Sequence, residues 1–152
     1  MTTINELPED EFNFINVGQT IPDFSWSDDS GKIYSSEMLK GKKTLVILFS
    51  YICQHCVANF QYLEEKLFSS DLSHLNLLIV ARECSEDHIE TYCKKYSLTI
   101  KPVADVDRVI YSKFAEKVVP RLYFFDSSGD LLISVRGYKP RALDELIKVL
   151  KA

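Results

Sequence analysis

The most strongly patterned stretch of the chain is Thr44-Leu45-Val46-Ile47-Leu48-Phe49-Ser50, apolar almost throughout and rich in β-branched side chains. A run of that length without alternation predicts a central strand buried on both faces. From Cys53 the period changes. Val57, Phe60, Leu63, Leu67 and Phe68 recur at steps of three and four, which predicts an amphipathic helix of about four turns. Leu75 to Ala81, broken only by Asn76, is a second buried strand.

The flanking segments read in the same way. Ile21-Pro22-Asp23-Phe24 starts an extended segment, Asp28-Asp29-Ser30-Gly31 is a turn, and Lys32-Ile33-Tyr34 returns, so a β-hairpin precedes the buried strand. Ser35 to Leu39 gives one helical turn, stopped by Gly41. Ser85 is a good N-cap for a helix with Ile89, Tyr92, Cys93 and Tyr96 on one face, ending before Pro102. Asp107 is expected to cap a short helix carrying Val109, Ile110, Phe114 and Ala115. Leu122–Phe125 and Leu131–Arg136 flank a tight turn at 126–130. Pro140 opens a last helix lined by Leu143, Leu146, Ile147 and Leu150. Strands alternating with helices predict an α/β domain, a mixed central sheet flanked by helices.

Composition narrows the class. The chain has 152 residues, enough for one core without staples. Its net charge is −4 and its 18 Lys and Arg are scattered, so no basic footprint for nucleic acid is present. No apolar run approaches the ~20 residues needed to span a bilayer. Residues 1–17 form an acidic leader in which Phe12, Phe14, Ile15 and Val17 can pack on a domain spanning 18–152. The leader has no basic n-region or apolar h-region. The chain is therefore expected to be cytoplasmic as it stands, or the trimmed form of an exported protein. Four cysteines, at 53, 56, 84 and 93, are too sparse for a disulfide scaffold.

Cys53-Gln54-His55-Cys56 sits where the first buried strand gives way to its helix. A helix N-terminus carries about half a positive charge and several unpaired N–H groups. A thiolate placed there is stabilised, and the thiolate is the nucleophile of disulfide exchange. Cys53 is expected to point out of the turn and attack, and Cys56 to lie under it and resolve. His55 can favour the Cys53 thiolate, while Gln54 is neutral. The competing reading of a C-x-x-C is half a zinc site. The other candidate ligands, Cys84, Cys93, His74 and His88, stand at no knuckle spacing, so no metal and no other cofactor is expected.

With these residues in view the chain resembles the thioredoxin superfamily, and within it the TlpA-like and ResA-like branch, a sister of the AhpC/TSA family. The resemblance covers about residues 18–152. It rests on Gly18 to Phe24, the turn Asp29-Ser30-Gly31-Lys32, the strand leading to C-x-x-C, Val119-Pro120, and the turn Phe125 to Gly129. It implies a thioredoxin fold with an extra N-terminal hairpin. It further implies that Pro120 is cis and faces the cysteine pair, and that the backbone of Val119 is presented to an incoming substrate chain. A buried acid serving Cys56 is also implied. Glu83 matches that position best, Glu86 is the alternative, and a solvated loop glutamate is the plain reading. The chain departs from the family in Ile52 where Trp is common before the first cysteine, in Arg121 where Thr is common after the proline, and in its Gln-His dipeptide. These departures bear on substrate, Ile52 being beside the attacking thiol, and on the direction of electron flow.

The resemblance points to a monomeric thiol–disulfide oxidoreductase acting on a cysteine-containing protein and recycled by an upstream thiol–disulfide partner. Its relatives are bacterial and periplasmic or otherwise extracytoplasmic. Two other functions compete. A peroxidase of the peroxiredoxin type would use Cys53 on peroxide, but its Pro-x-x-x-Thr-x-x-Cys loop finds Val46 and Ser50 where Pro and Thr belong. A thioredoxin-fold module for binding or redox sensing would keep its function without Cys53. Cys84 and Cys93 are read as buried structural residues, because nine helical residues separate them by roughly 12 Å along the axis, past the ~7 Å limit for bridging. His74 and His88 are expected at the surface.

Overall fold

The computed structural model describes residues 12–28 and 30–151. Met1 to Glu11, most of the leader, and Asp29 of the first turn therefore lie outside the described residues.

Five strands form one sheet in the order β5-β4-β3-β6-β7. They are β3 (Lys43–Phe49), β4 (Leu75–Arg82), β5 (Val103–Asp105), β6 (Arg121–Phe125) and β7 (Leu131–Arg136). β3 runs parallel to β4 and antiparallel to β6, so the sheet is mixed and β3 is its centre. Ahead of it stand β1 (Ser25–Ser27) and β2 (Ile33–Ser35), paired antiparallel as a separate hairpin. Its first strand begins beyond the expected Ile21–Phe24, because Ile21 and Phe24 are drawn into the core instead.

The pleat of β3 divides its side chains between two cores. Leu45, Ile47 and Phe49 face α1 (Gln54–Leu63), α2 (Glu86–Tyr96) and α4 (Pro140–Lys151). Val46 and Leu48 face α3 (Tyr111–Phe114), Phe24 and Ile15. Successive residues of a strand point to opposite faces, so a strand sandwiched between two layers must be apolar at every position. That is why the run at 44–49 carries no alternation.

Three expectations need correction. The short helix α3 is not capped by Asp107, which is exposed. Asp105, the last residue of β5, is buried, and its carboxylate accepts the N–H groups of Ile110 and Tyr111 at 3.1 and 2.8 Å. Val109 is correspondingly in solvent, not on the packed face. In the described part of the leader, Ile15 enters the core, whereas Phe14 and Val17 are 56% and 66% exposed. The reason is a bridge of Asn13 to Ala115, with Phe14 N–H donating to Phe114 O at 2.8 Å, which lets alternate residues face inward. The helix after Cys53 does extend to Phe68, but its last turn, Glu64–Phe68, is π-helical.

Candidate active site: a cysteine pair facing a cis-proline loop

α1 starts directly above the C-terminal end of β3, after a turn at 50–52 in which Cys53 N–H donates to Ser50 O at 3.2 Å. Cys53 is the N-cap, with extended φ and ψ of −93° and 119°. Its Sγ accepts the backbone N–H of Cys56 at 3.2 Å. A sulfur in this place occupies the positive end of a ten-residue helix and satisfies one of its unpaired donors. Cys56, one turn on, is fully buried under Cys53. Burial foremost, then the neighbouring Cys53 sulfur, hold its thiol well above the ordinary 9.0, against smaller opposing effects of the Ser50 backbone and the Arg82 cation. The pair is present as two free thiols, one half-exposed and one sealed.

On the other side of Cys53 runs the loop before β6. The Val119–Pro120 peptide bond is cis. Cys53 Sγ–H donates to Val119 O at 3.8 Å, the long reach of a thiol bond. Ile52, 78% exposed, stands beside the sulfur, and Gln54 and His55 occupy the exposed first turn of α1. An open groove of about 390 Å³ flanks the site, lined by Tyr51, Ile52, Cys53, Gln54, Val57 and Tyr96 among others, with no charged side chain. Thus Ile52, Cys53, Gln54, His55, Cys56, Val119 and Pro120 are gathered in one place. A larger groove of about 980 Å³ lies away from the pair along α2. Its charges include the ion pairs Glu86–Lys101 and Glu90–Lys94.

Glu83 is not gathered there as a buried acid. It follows β4 with a φ of +55°, and its side chain is 58% exposed between Arg82 Nε (3.5 Å) and Arg108 Nε (3.7 Å). The left-handed turn at 83 swings the side chain toward solvent and two cations. The solvated reading of this glutamate is the one the geometry bears, and Glu86 is likewise exposed. Cys84 is fully buried, where burial pushes its thiol up to about 11. Cys93 is half-buried, and both are free thiols. Exposed His88 stacks on Tyr51 at 4.6 Å, and exposed His74 engages Leu150 O at 2.7 Å. Among the described residues, no group of three or more His, Cys, Asp or Glu could hold a metal ion, and no helix is long and apolar enough to cross a membrane.

Sequence reasoning missed the support under the proline loop. Arg121, the first residue of β6, is 1% exposed. Its guanidinium donates to Lys117 O (Nη2, 2.7 Å) and Val118 O (Nε, 3.0 Å). Tyr111, fully buried, donates its hydroxyl to the same Val118 O at 2.6 Å. The one available signal was a lone arginine opening an otherwise apolar strand.

The AhpC/TSA family profile matches residues 17–132. The thioredoxin-like protein YneN of Bacillus subtilis is 27% identical over 117 residues, covering 76% of this chain and 68% of its own. The thiol–disulfide oxidoreductase ResA of the same organism is 22% identical over 123 residues, covering 81% and 69%. Among solved structures, a Bacteroides thetaiotaomicron protein superposes with a TM-score of 0.85 at 19% identity, covering 92% of this chain and 91% of its own. A secreted Mycobacterium tuberculosis disulfide oxidoreductase gives 0.68 at 21%, covering 84% and 94%. The chain accordingly belongs to the AhpC/TSA family, carries the thioredoxin fold, and is a thiol–disulfide oxidoreductase of the thioredoxin and ResA type.

Proposed function

We propose that Cys53 and Cys56 are the redox-active pair of this oxidoreductase and that its substrate is a protein disulfide. The observation that carries this reading is the placement of Cys53 Sγ, half-exposed at the N-cap of α1, 3.2 Å from the Cys56 N–H and 3.8 Å from Val119 O. A negative sulfur there gains from the helix dipole and from a donor already aimed at it.

In the reducing direction the Cys53 thiolate attacks one sulfur of the substrate disulfide. A Cys53–substrate bond forms, the substrate S–S bond breaks, and the departing substrate thiolate takes up a proton. Cys56 then gives up its proton and attacks Cys53 Sγ. The Cys53–Cys56 disulfide forms and the second substrate thiol leaves, so two electrons have passed from the pair to the substrate. Burial keeps Cys56 protonated until the mixed disulfide has formed, which orders the two steps. Val119 presents its backbone beside the attacking sulfur, with Pro120 shaping the loop. Gln54 and His55 in the first helical turn tune the potential, and exposed Ile52 meets the substrate chain. An upstream thiol–disulfide partner returns the pair to its starting state.

The test is insulin disulfide reduction with a dithiol as electron source. Cys53→Ser is expected to abolish turnover, and reduced Cys56→Ser, mixed with insulin after the dithiol is removed, to accumulate a one-to-one mixed disulfide detectable by mass. Retention of turnover by Cys53→Ser, or alkylation of Cys53 by iodoacetamide no faster than that of Cys84, would overturn the proposal.

A further inference from the structure

Val118, one residue before the cis bond, has a φ of +82°. A β-branched residue in that region is a genuine outlier, since its Cβ crowds the following carbonyl. Packing does not explain it. Val119 touches both apolar cores, whereas Val118 belongs to neither. Something else holds the backbone there.

What holds it is polar and buried. The Val118 carbonyl receives two donors, the Tyr111 hydroxyl at 2.6 Å and Arg121 Nε at 3.0 Å, and Lys117 O receives Arg121 Nη2 at 2.7 Å. Tyr111 is itself immobilised. Its backbone N–H is tied to the buried carboxylate of Asp105, and its ring lies within 4.7 Å of the Arg82 guanidinium and 4.9 Å of that of Arg108. A guanidinium buried to 1% exposure is expensive to desolvate, and here a share of its hydrogen bonds goes to one loop. The next carbonyl along, that of Val119, is the one that faces Cys53.

We propose that Tyr111 and Arg121 are positioning residues for the substrate-docking edge: they hold Val118 in a conformation valine resists and so aim the Val119 backbone at Cys53. This rests on the oxidoreductase reading above. Backbone strain retained at a functional loop, and enforced by its surroundings, is the expected signature of such preorganisation.

The experiment compares wild type, Tyr111→Phe and the double variant Tyr111→Phe/Val118→Gly by insulin reduction, by iodoacetamide alkylation of Cys53 in the reduced protein, and by thermal unfolding, which checks that each is folded. Tyr111→Phe removes only the hydroxyl that holds the Val118 carbonyl. Glycine adopts positive φ freely, so adding Val118→Gly lets the loop keep its conformation with the clamp weakened. Tyr111→Phe is expected to lower kcat/KM on insulin about tenfold, chiefly through KM, and the added Val118→Gly to restore most of that loss, while alkylation, which needs no docking edge, changes less than twofold in either. Rescue by a residue that makes no new side-chain contact is an outcome that a merely structural tyrosine would not produce. The proposal is overturned if Tyr111→Phe keeps wild-type kcat/KM, or if the added Val118→Gly restores none of the loss. A wild-type protein inert toward insulin would instead remove the oxidoreductase reading beneath it.

Discussion

The stability of variants at the proposed nucleophile should depend on whether the new side chain can cap α1. Cys53 caps α1 with a sulfur, accepting the Cys56 N–H at 3.2 Å. A thiol is a weak acceptor, whereas a serine hydroxyl at an N-cap is worth about 0.5–2 kcal/mol over alanine. The extended backbone at Cys53, φ −93° and ψ 119°, is the geometry an N-cap serine adopts, so the hydroxyl can take over the bond without rearrangement. Cys53→Ser should therefore be more stable than Cys53→Ala, which has no side-chain acceptor, by about 1 kcal/mol. With unfolding entropy of about 2 cal/mol/K per residue, 1 kcal/mol in a domain of this size is about 3 °C in Tm. The assay is thermal unfolding by circular dichroism under reducing conditions at neutral pH, with both variants measured beside wild type. A Cys53→Ser protein that melts at or below Cys53→Ala would show that the side chain at 53 does not cap the helix. The electrostatic account of its activation would then fail with it.

Further outcomes follow from the same geometry. Burial pushes the Cys84 thiol from 9.0 up to about 11, so the folded state keeps that proton to higher pH than the unfolded chain. Its stabilising contribution is whole below pH 9 and is lost as pH rises through 11. Urea unfolding at pH 7 and pH 11 should show a decline that Cys84→Ala reduces by about 2 kcal/mol. Phe60 is buried and meets Phe49 edge-on with centroids 4.7 Å apart, so Phe60→Ala should cost about 3–5 kcal/mol, read from denaturant midpoints. An Asp105→Ala variant leaves two N–H groups of α3 without their acceptor. It should lose about 2 kcal/mol and free Tyr111 to move, seen as faster amide exchange at 110–111.

The sequence by itself determined the order of the main elements and the place of the cysteine pair at a helix start. Leu45 to Phe49 could only be a strand covered on both sides, and the change of period at Cys53 put a helix N-terminus at that sulfur. Local periodicity and capping are short-range properties, so they are written in consecutive residues. What the tertiary structure decided lies across long separations. The three-residue edge strand β5 exists only because β4 offers it a partner at Val80 to Arg82, and its Asp105, not the nearer Asp107, reaches the start of α3. Glu83 turned outward because its backbone took a left-handed turn beside two arginines, which no local pattern announced. The clamp of Tyr111 and Arg121 on Val118, and the approach of Val119 to Cys53 from 66 residues away, depend on how β6 docks beside β3. Distances between segments remote in the chain are set by packing, and packing is a property of the folded whole.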